Sequence, residues 1–270
     1  MLQSRQIDVR QSPNKESINQ DESLRLNPFS AEMISPQQNK YEFVCGEPLE
    51  TATERLLEML NRSLVVSIIG DHGTGKTTLI YSLIPELNAL GVTTSLLRLG
   101  KHSWQNSLAC AYEQLSSVPL NYYGNSTLSR HCLIVDGFEQ LPRFGKLALI
   151  TAIHSHNRFP FGVYSSSKSP NLFMLVSAHQ KQLMIPLFEK TEWDSDLALR
   201  LLLEKIKPLP EWLQKKLILI ASDYFEQSDS LRSPPCIRDL WLWLYDEYEK
   251  LVSQRTETRL RPIKGNTHRN

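Results

Sequence analysis

The sequence lacks a charge bias. Its 270 residues carry 30 Lys and Arg against 29 Asp and Glu, a formal net charge of +1. That excludes a global field drawing in nucleic acid or anionic membrane and leaves only local patches. Cysteine is scarce. The four thiols, at 45, 110, 132 and 236, show no C-x-x-C spacing, which argues against a zinc site and a disulfide framework. Cys110 and Cys132 lie in apolar runs and read as core thiols. No run approaches the roughly 18 apolar residues of a membrane-spanning helix. The first residues are polar, without the apolar stretch of a secretion signal. No internal repeat is visible. Together these absences predict a reducing, cytoplasmic setting and no membrane partner. What is present is ordinary for a globular chain: 41% hydrophobic and 22% charged residues. The length suffices for one large domain, or a core with a small second domain.

Residues 1–27 are polar and aperiodic, and read as a disordered tail. The following "PFSAEMISPQQNKYEFVCGEP" is expected to lie along the core as an ordered arm. "LETATERLLEMLN" has helical spacing. "SLVVSIIG" is short, β-rich and almost wholly apolar, as a strand covered on both faces must be. "TTLIYSLIPELNALG" reads as a helix ending at Gly91, kinked or split at Pro85. Further strands are expected at "VTTSLLRL", "HCLIVD", "LFMLVS" and "LMIPLF". Helices are expected at "HSWQNSLACAYEQL" and in "LPRFGKLALITAIHSHNR", the second starting after Gly145. "FPFGVYSSSKSPN" reads as a loop. Strands alternating with helices imply a parallel sheet covered on both faces, the α/β class.

The pattern changes near residue 192. "DSDLALRLLLEKI", "PEWLQKKLILIASDYFEQS" and "PPCIRDLWLWLYDEYEKLVSQ" all read as helices with no strand between them. In the last, Trp241, Leu244, Tyr245 and Tyr248 share one face, expected to be core, while Trp243 points off it. The expected organisation is a tail over 1–27, an α/β core over 28–192, a small helical lid over 193–255 and a basic flexible tail over 256–270.

Gly70-Asp71-His72-Gly73-Thr74-Gly75-Lys76-Thr77 fits G-x-x-x-x-G-K-[ST], between a strand and a helix. Glycines let successive amides face one anion, and the helix N-terminus adds its positive dipole end. In this pattern Gly70, Gly73, Thr74, Gly75 and Lys76 cradle phosphates, and Lys76 reaches between the β- and γ-phosphates. The Thr77 hydroxyl holds Mg²⁺, and Thr78 supports the α-phosphate side. Asp71 and His72 fill the variable part of the loop, with His72 read as a solvated loop residue.

Asp136 closes the apolar run "CLIV", which puts a carboxylate at the C-terminal edge of a parallel sheet, beside that loop. It is the expected second holder of Mg²⁺. The next residue is Gly137, so the group that polarises water must come from further on: Glu139 or Gln140 could face the γ-phosphate, and Glu139 is the better base. Ser177 and His179 close "LFMLVSAH". A strand placed between the phosphate-loop strand and the Asp136 strand would aim them at the γ-phosphate.

With these residues in place, the chain resembles the additional-strand P-loop ATPases, the group holding the AAA+ and STAND proteins. "YEFVCGEPLETATERLLEML" is similar to their F-V-G-R-E segment and its helix, with Phe43, Val44, Gly46 and Glu47 resembling it, Cys45 inserted and the Arg missing. "CLIVDGFEQL" is close to the STAND acidic motif. "FMLVSAH" corresponds to their V-T-S-R strand end, with Ser177 in place of Thr and His179 in place of Arg. "SPPCIRDLWLWLYDEY" resembles the last AAA+ lid helix, where an Arg reaches the γ-phosphate, and Arg238 stands there. "RLNPFSAEM" is similar to the opening of ATPases linked to secretion accessories and transposition. The resemblance implies a P-loop NTPase core with a helical lid. Arg143 or Arg158 would be the candidate finger toward a neighbouring subunit.

The sequence therefore predicts an ATP- and Mg²⁺-dependent switch with slow or partner-stimulated hydrolysis. Its regulation would run through a protein partner or self-assembly. No N-K-x-D motif speaks for guanine. A non-hydrolysing scaffold stays open, favoured by Gly137 and His179. A small-molecule kinase also stays open, although Arg200, Arg232 and Arg238 are scattered. DNA is a weakly supported partner, through the basic residues Arg259, Arg261, Lys264 and Arg269.

Overall fold

The computed structural model describes residues 27–99, 109, 113, 130–158, 172–181, 185–229 and 236–260. In chain order the elements are α1 (Leu49–Ser63), β1 (Val65–Ile69), α2 (Lys76–Ala89), β2 (Val92–Arg98) and β3 (Arg130–Asp136). After a 3-10 turn (Phe138–Gln140) come α3 (Arg143–Arg158), β4 (Leu172–Ala178), β5 (Leu187–Lys190), α4 (Ser195–Ile206), α5 (Glu211–Asp229) and α6 (Ile237–Leu260). The five strands form one parallel sheet in the order β2-β3-β4-β1-β5. The expected class is observed: a parallel sheet flanked by helices, of P-loop NTPase type, followed by an all-helical C-terminal region.

Both sheet faces are covered, which explains the near-continuous apolar strands. Cys132 and Ile134 of β3, with Phe173 and Leu175 of β4, pack among Leu56, Leu60, Leu79 and Leu83 of α1 and α2. The alternate residues Leu133, Val135, Leu172, Met174 and Val176 pack with Phe138, Leu149 and Ile153. Period-2 alternation thus sends the side chains of β3 and β4 into two cores at once. Burial of Cys132 pushes its thiol up to about 12, so it is a packing residue rather than a nucleophile.

Several boundaries differ from expectation. Helix α3 begins at Arg143, before Gly145, because the Pro142 carbonyl already accepts from the Lys146 amide at 3.0 Å. Pro85 does not split α2. Leu83 and Leu87, fully buried on either side, hold the helix through the missing donor. The edge strand is Leu187–Lys190, later than the expected 183–188, of which 183 and 184 lie outside the described residues. Pro186 has no amide to give the ladder, and its carbonyl instead accepts from the Ser67 amide at 2.9 Å, where the register shifts. The helix expected at 102–115 lies outside the described residues, except that Ala109 and Glu113 are helical and exposed. The loop expected at 159–171 and the thiol of Cys110 also lie outside them.

The chain divides into two compact units. One is Ile34–Ala198 with Cys236–Asp239, and the other is Met1–Met33, Leu199–Pro235 and Leu240–Asn270. The stretch expected to form one arm therefore serves both. Tyr41 and Phe43 join the core of the α/β unit, in edge-to-face contact at 5.0 Å. Asn27 and Phe29 belong to the helical unit instead. There Phe29 is fully buried and stacks on Trp241 at 5.8 Å, and the Asn27 amide donates to Glu249 at 2.8 Å. On α6 the buried face is Leu240, Trp241, Leu244 and Tyr248. Tyr245, expected in that core, is exposed, because Leu240 completes the stripe in its place. Trp243 lies on Tyr224 at 5.2 Å. Helix α6 runs on to Leu260, into the stretch read as a flexible tail. Among the described residues no helix is long and apolar enough to cross a membrane.

Candidate functional site

The Gly-rich segment leaves the C-terminal end of β1 and enters α2 at Lys76. Gly73 and Gly75 have φ of +76° and +93°, a region that L side chains rarely adopt. The surroundings also leave no space for larger residues. A Cβ on Gly73 would stand 2.3 Å from Cys236 Sγ, and one on Gly75 would stand 3.1 Å from the Tyr41 ring. Among the described residues, no main-chain carbonyl accepts from the amides of Asp71 to Gly75. These donors and the first turn of α2 are available to an anion. Lys76 Nζ donates to the carbonyls of Gly70 and Asp71, each at 2.7 Å. Burial lowers the Lys76 pKa, opposed by the carboxylates of Glu139, Asp136 and Asp71.

Asp136 ends β3 beside this loop. Its Oδ2 accepts from the Thr77 hydroxyl at 3.0 Å, and its Oδ1 accepts from the Ser177 hydroxyl at 2.5 Å. Arg98 Nε stands 3.7 Å from Oδ2. Ser177, buried on β4, also accepts from the Gly137 amide at 3.0 Å. Strand β4 lies between β1 and β3, as the sequence predicted, so β1, β4 and β3 present the loop, Ser177 and Asp136 along one sheet edge. Ser177, expected to face a γ-phosphate, has Asp136 as its hydroxyl partner. Thr78 follows in the first turn of α2, half-buried.

Gly137, at φ +86°, turns the chain into the 3-10 turn, and buried Phe138 anchors that turn. This presents Glu139 to His179, with Oε1 at 3.2 Å from Nε2. The other oxygen, Oε2, is buried and has no hydrogen-bond partner among the described residues. His179 Nδ1 lies 3.3 Å from both Lys76 Nζ and the Gly70 carbonyl. The His72 ring lies 3.8 Å from the His179 ring. That imidazole first, then slight burial and the cations Lys76 and Arg238, hold His72 below its ordinary range. Arg238 is exposed at the start of α6, with its Cβ 3.1 Å from where a Cβ on Gly73 would stand. The structure thus gathers Lys76, Thr77, Asp136, Glu139, Ser177, His179 and Arg238 around the loop. Arg143 is exposed at the start of α3, and the Arg158 side chain lies outside the described residues.

Sequence reasoning missed four neighbours. Thr191 lies against Gly70 and Thr74, Tyr41 against Gly75, Cys236 against Gly73, and Arg98 beside Asp136. Arg98 had a readable signal, since it ends a strand on the edge where Asp136 ends another. Thr191 had none, because it follows the strand whose position was misjudged.

The donor set is chemically coherent. A hydroxyl and a carboxylate at 3.0 Å are hard oxygen ligands suited to magnesium, and free amides beside an ammonium suit phosphate. No family model matches the chain, and no curated protein does. Solved structures do. PCH-2 of C. elegans aligns over 75% of this chain and 67% of its own, at 14% identity and a TM-score of 0.43. A replication initiator DnaA, solved with AMPPCP and single-stranded DNA, aligns over 80% and 67%, at 16% identity and 0.42. A Walker-type ATPase of Pyrococcus abyssi aligns over 82% and 75%, at 12% identity and 0.39.

Proposed function

We propose that the chain binds Mg·ATP and hydrolyses it slowly, or on stimulation by a partner, as a conformational switch. The observation that carries this reading is the 3.0 Å contact of Thr77 and Asp136 beside a loop whose glycines 73 and 75 hold left-handed backbone. Bound Mg·ATP supplies a charge-neutralised polyphosphate whose terminal phosphoryl group can pass to water. Thr77 and Asp136 are the residues that would hold the metal. Gly70, Gly73, Thr74, Gly75, Lys76, Thr77 and Thr78 are those that would hold the phosphates.

The remaining roles follow from the contacts. Ser177 fixes the Asp136 carboxylate through Oδ1 and leaves Oδ2 to Thr77. Glu139 is the residue to take a proton from water. Its engagement with His179 limits it as a base, which supports slow turnover. Arg238 adds a cation beside the loop and His179 links the loop to Glu139, so both belong to the sensing set. Nucleotide would in turn regulate a protein partner or self-assembly, in a regulatory or DNA-related setting in the cytoplasm. The basic residues 259–269 are the candidate DNA contact.

The second reading, a scaffold that binds without turnover, draws on the same His179–Glu139 contact and on Gly137. A small-molecule kinase ranks below both. The deciding experiment measures binding of a fluorescent ATP analogue with magnesium and with chelator, for the full chain and for Lys76→Ala. Magnesium-dependent binding is expected for the native chain, and at least about a hundredfold weaker binding for the variant, since charge-assisted bonds to phosphate are lost. Equal binding by the two proteins, or none by either, overturns the reading. Phosphate release by the native chain separates switch from scaffold.

A further inference from the structure

We infer that Thr191 is a positioning residue, which sets the shape of the phosphate loop from outside the motif through a directed chain of hydroxyl hydrogen bonds. The inference rests on the proposed nucleotide reading of that loop and adds how the loop is held.

Thr191 immediately follows β5, and its side chain is buried. Its amide donates to the Ile69 carbonyl at 2.8 Å, which fastens it to the end of β1. Its Oγ1 lies 2.7 Å from Thr74 Oγ1 and 3.2 Å from the Ile69 carbonyl. The Thr74 hydroxyl donates to the Asp71 carbonyl at 3.0 Å. A hydroxyl has one proton, so the assignments are linked. Two protons serve these three contacts, and the inferred arrangement puts the Thr74 proton on Asp71, so that Thr191 donates to Thr74 in place of its other acceptor, the Ile69 carbonyl. The chain then runs one way, from Thr191 to Thr74 to the Asp71 carbonyl. That carbonyl is also one of the two that receive Lys76 Nζ.

The other receiving carbonyl is that of Gly70, and Thr191 fixes this residue by contact. A Cβ on Gly70 would stand 2.2 Å from Thr191 Oγ1 and 2.7 Å from the Thr191 carbonyl. One buried threonine just past the edge strand therefore bears on both carbonyls that locate the Lys76 ammonium. It does so by packing on one and through Thr74 on the other. The outermost strand needs an anchor of its own, and Arg55 provides it. Arg55 bonds Glu47 at 2.7 Å, Glu189 at 3.1 Å and the Phe188 carbonyl at 3.1 Å. Strand β5 is thus tied to α1 two residues before Thr191.

The test compares Thr191→Val, which keeps the shape and loses the hydroxyl, with Thr191→Ser, which keeps the hydroxyl. Thr74→Val and the double valine variant complete a cycle. The full chain is used, and affinity for the ATP analogue is read with magnesium. Thr191→Val is expected to weaken binding by about tenfold, and Thr191→Ser by less than about threefold. The double variant should be no worse than the poorer single one, since both break the same chain. A second readout needs no nucleotide. Amide resonances of residues 70–75 should move alike in Thr191→Val and Thr74→Val, and stay in place in Thr191→Ser. Resonances unmoved by Thr191→Val, or effects of the two valine changes that add, overturn the inference. Should the resonances move as stated while the native chain binds no nucleotide, the hydroxyl chain stands and the nucleotide reading falls.

Discussion

At Gly73 two constraints can be told apart by substitution. The residue sits at φ +76°, and a Cβ there would overlap Cys236 Sγ at 2.3 Å. Gly73→Ala is expected to cost about 1–2 kcal/mol for the left-handed backbone alone, and more for the overlap. Adding Cys236→Ala removes the overlap with sulfur and leaves the backbone cost and the 3.1 Å approach to Arg238 Cβ. Urea denaturation of the two variants should therefore show partial recovery in the double mutant. Full recovery would mean that the backbone conformation is not strained, and no recovery that the thiol is not the obstacle. The glycines themselves were legible in the sequence, because their spacing repeats a known solution for wrapping an anion. What presses on them was not. Cys236 is far along the chain and Thr191 follows a misplaced strand, and neither belongs to any local pattern.

Elements carry the pH response. His131 on β3 and His156 on α3 are half-buried, and burial lowers both pKa values from their ordinary 6.5, with His156 further lowering that of His131. The folded protein keeps these rings neutral, and His131 Nδ1 lies 2.9 Å from the Thr93 hydroxyl. The unfolded chain takes up their protons once pH falls below 6.5, before the folded chain does. Their contribution is therefore whole above that value and is lost as pH falls through the lowered folded values. Denaturation midpoints measured between about pH 7.5 and about pH 5 should fall on acidification. The slope should flatten in His131→Gln combined with His156→Gln, and an unchanged slope would assign the acid response to other groups. The strands were readable in sequence because two-sided burial demands a continuous apolar run, as at 132–135 in β3 and 172–176 in β4. Strand β5 was not, because four edge residues, "LFEK", bury only Phe188. Pro85 misled in the opposite direction, since packing at Leu83 and Leu87 outweighs one missing amide.

Across the whole molecule, the helical unit gathers its parts from distant stretches of chain. Phe29 is 1% exposed against Trp241, Asn27 is bonded to Glu249, and Lys205 donates to the Met33 carbonyl at 2.8 Å. Phe29→Ala is expected to cost about 3–5 kcal/mol by leaving a cavity beside Trp241. Thermal unfolding followed by tryptophan fluorescence checks this, and an unshifted transition would show the aromatic pair to be dispensable. Aromatics at 29 and 241 are visible in the sequence but their meeting is not, because periodicity reports faces and not partners.

The division of the chain also orders its synthesis. Every residue of the α/β unit up to Ala198 leaves the ribosome while the helical unit still lacks Leu199–Pro235 and Leu240–Asn270. Phe29, emerging early, must wait for Trp241 with its ring exposed to solvent. Until α6 is made, the newborn chain thus keeps an aromatic without its partner behind a polar stretch, and that interval is when a chaperone would have something to hold.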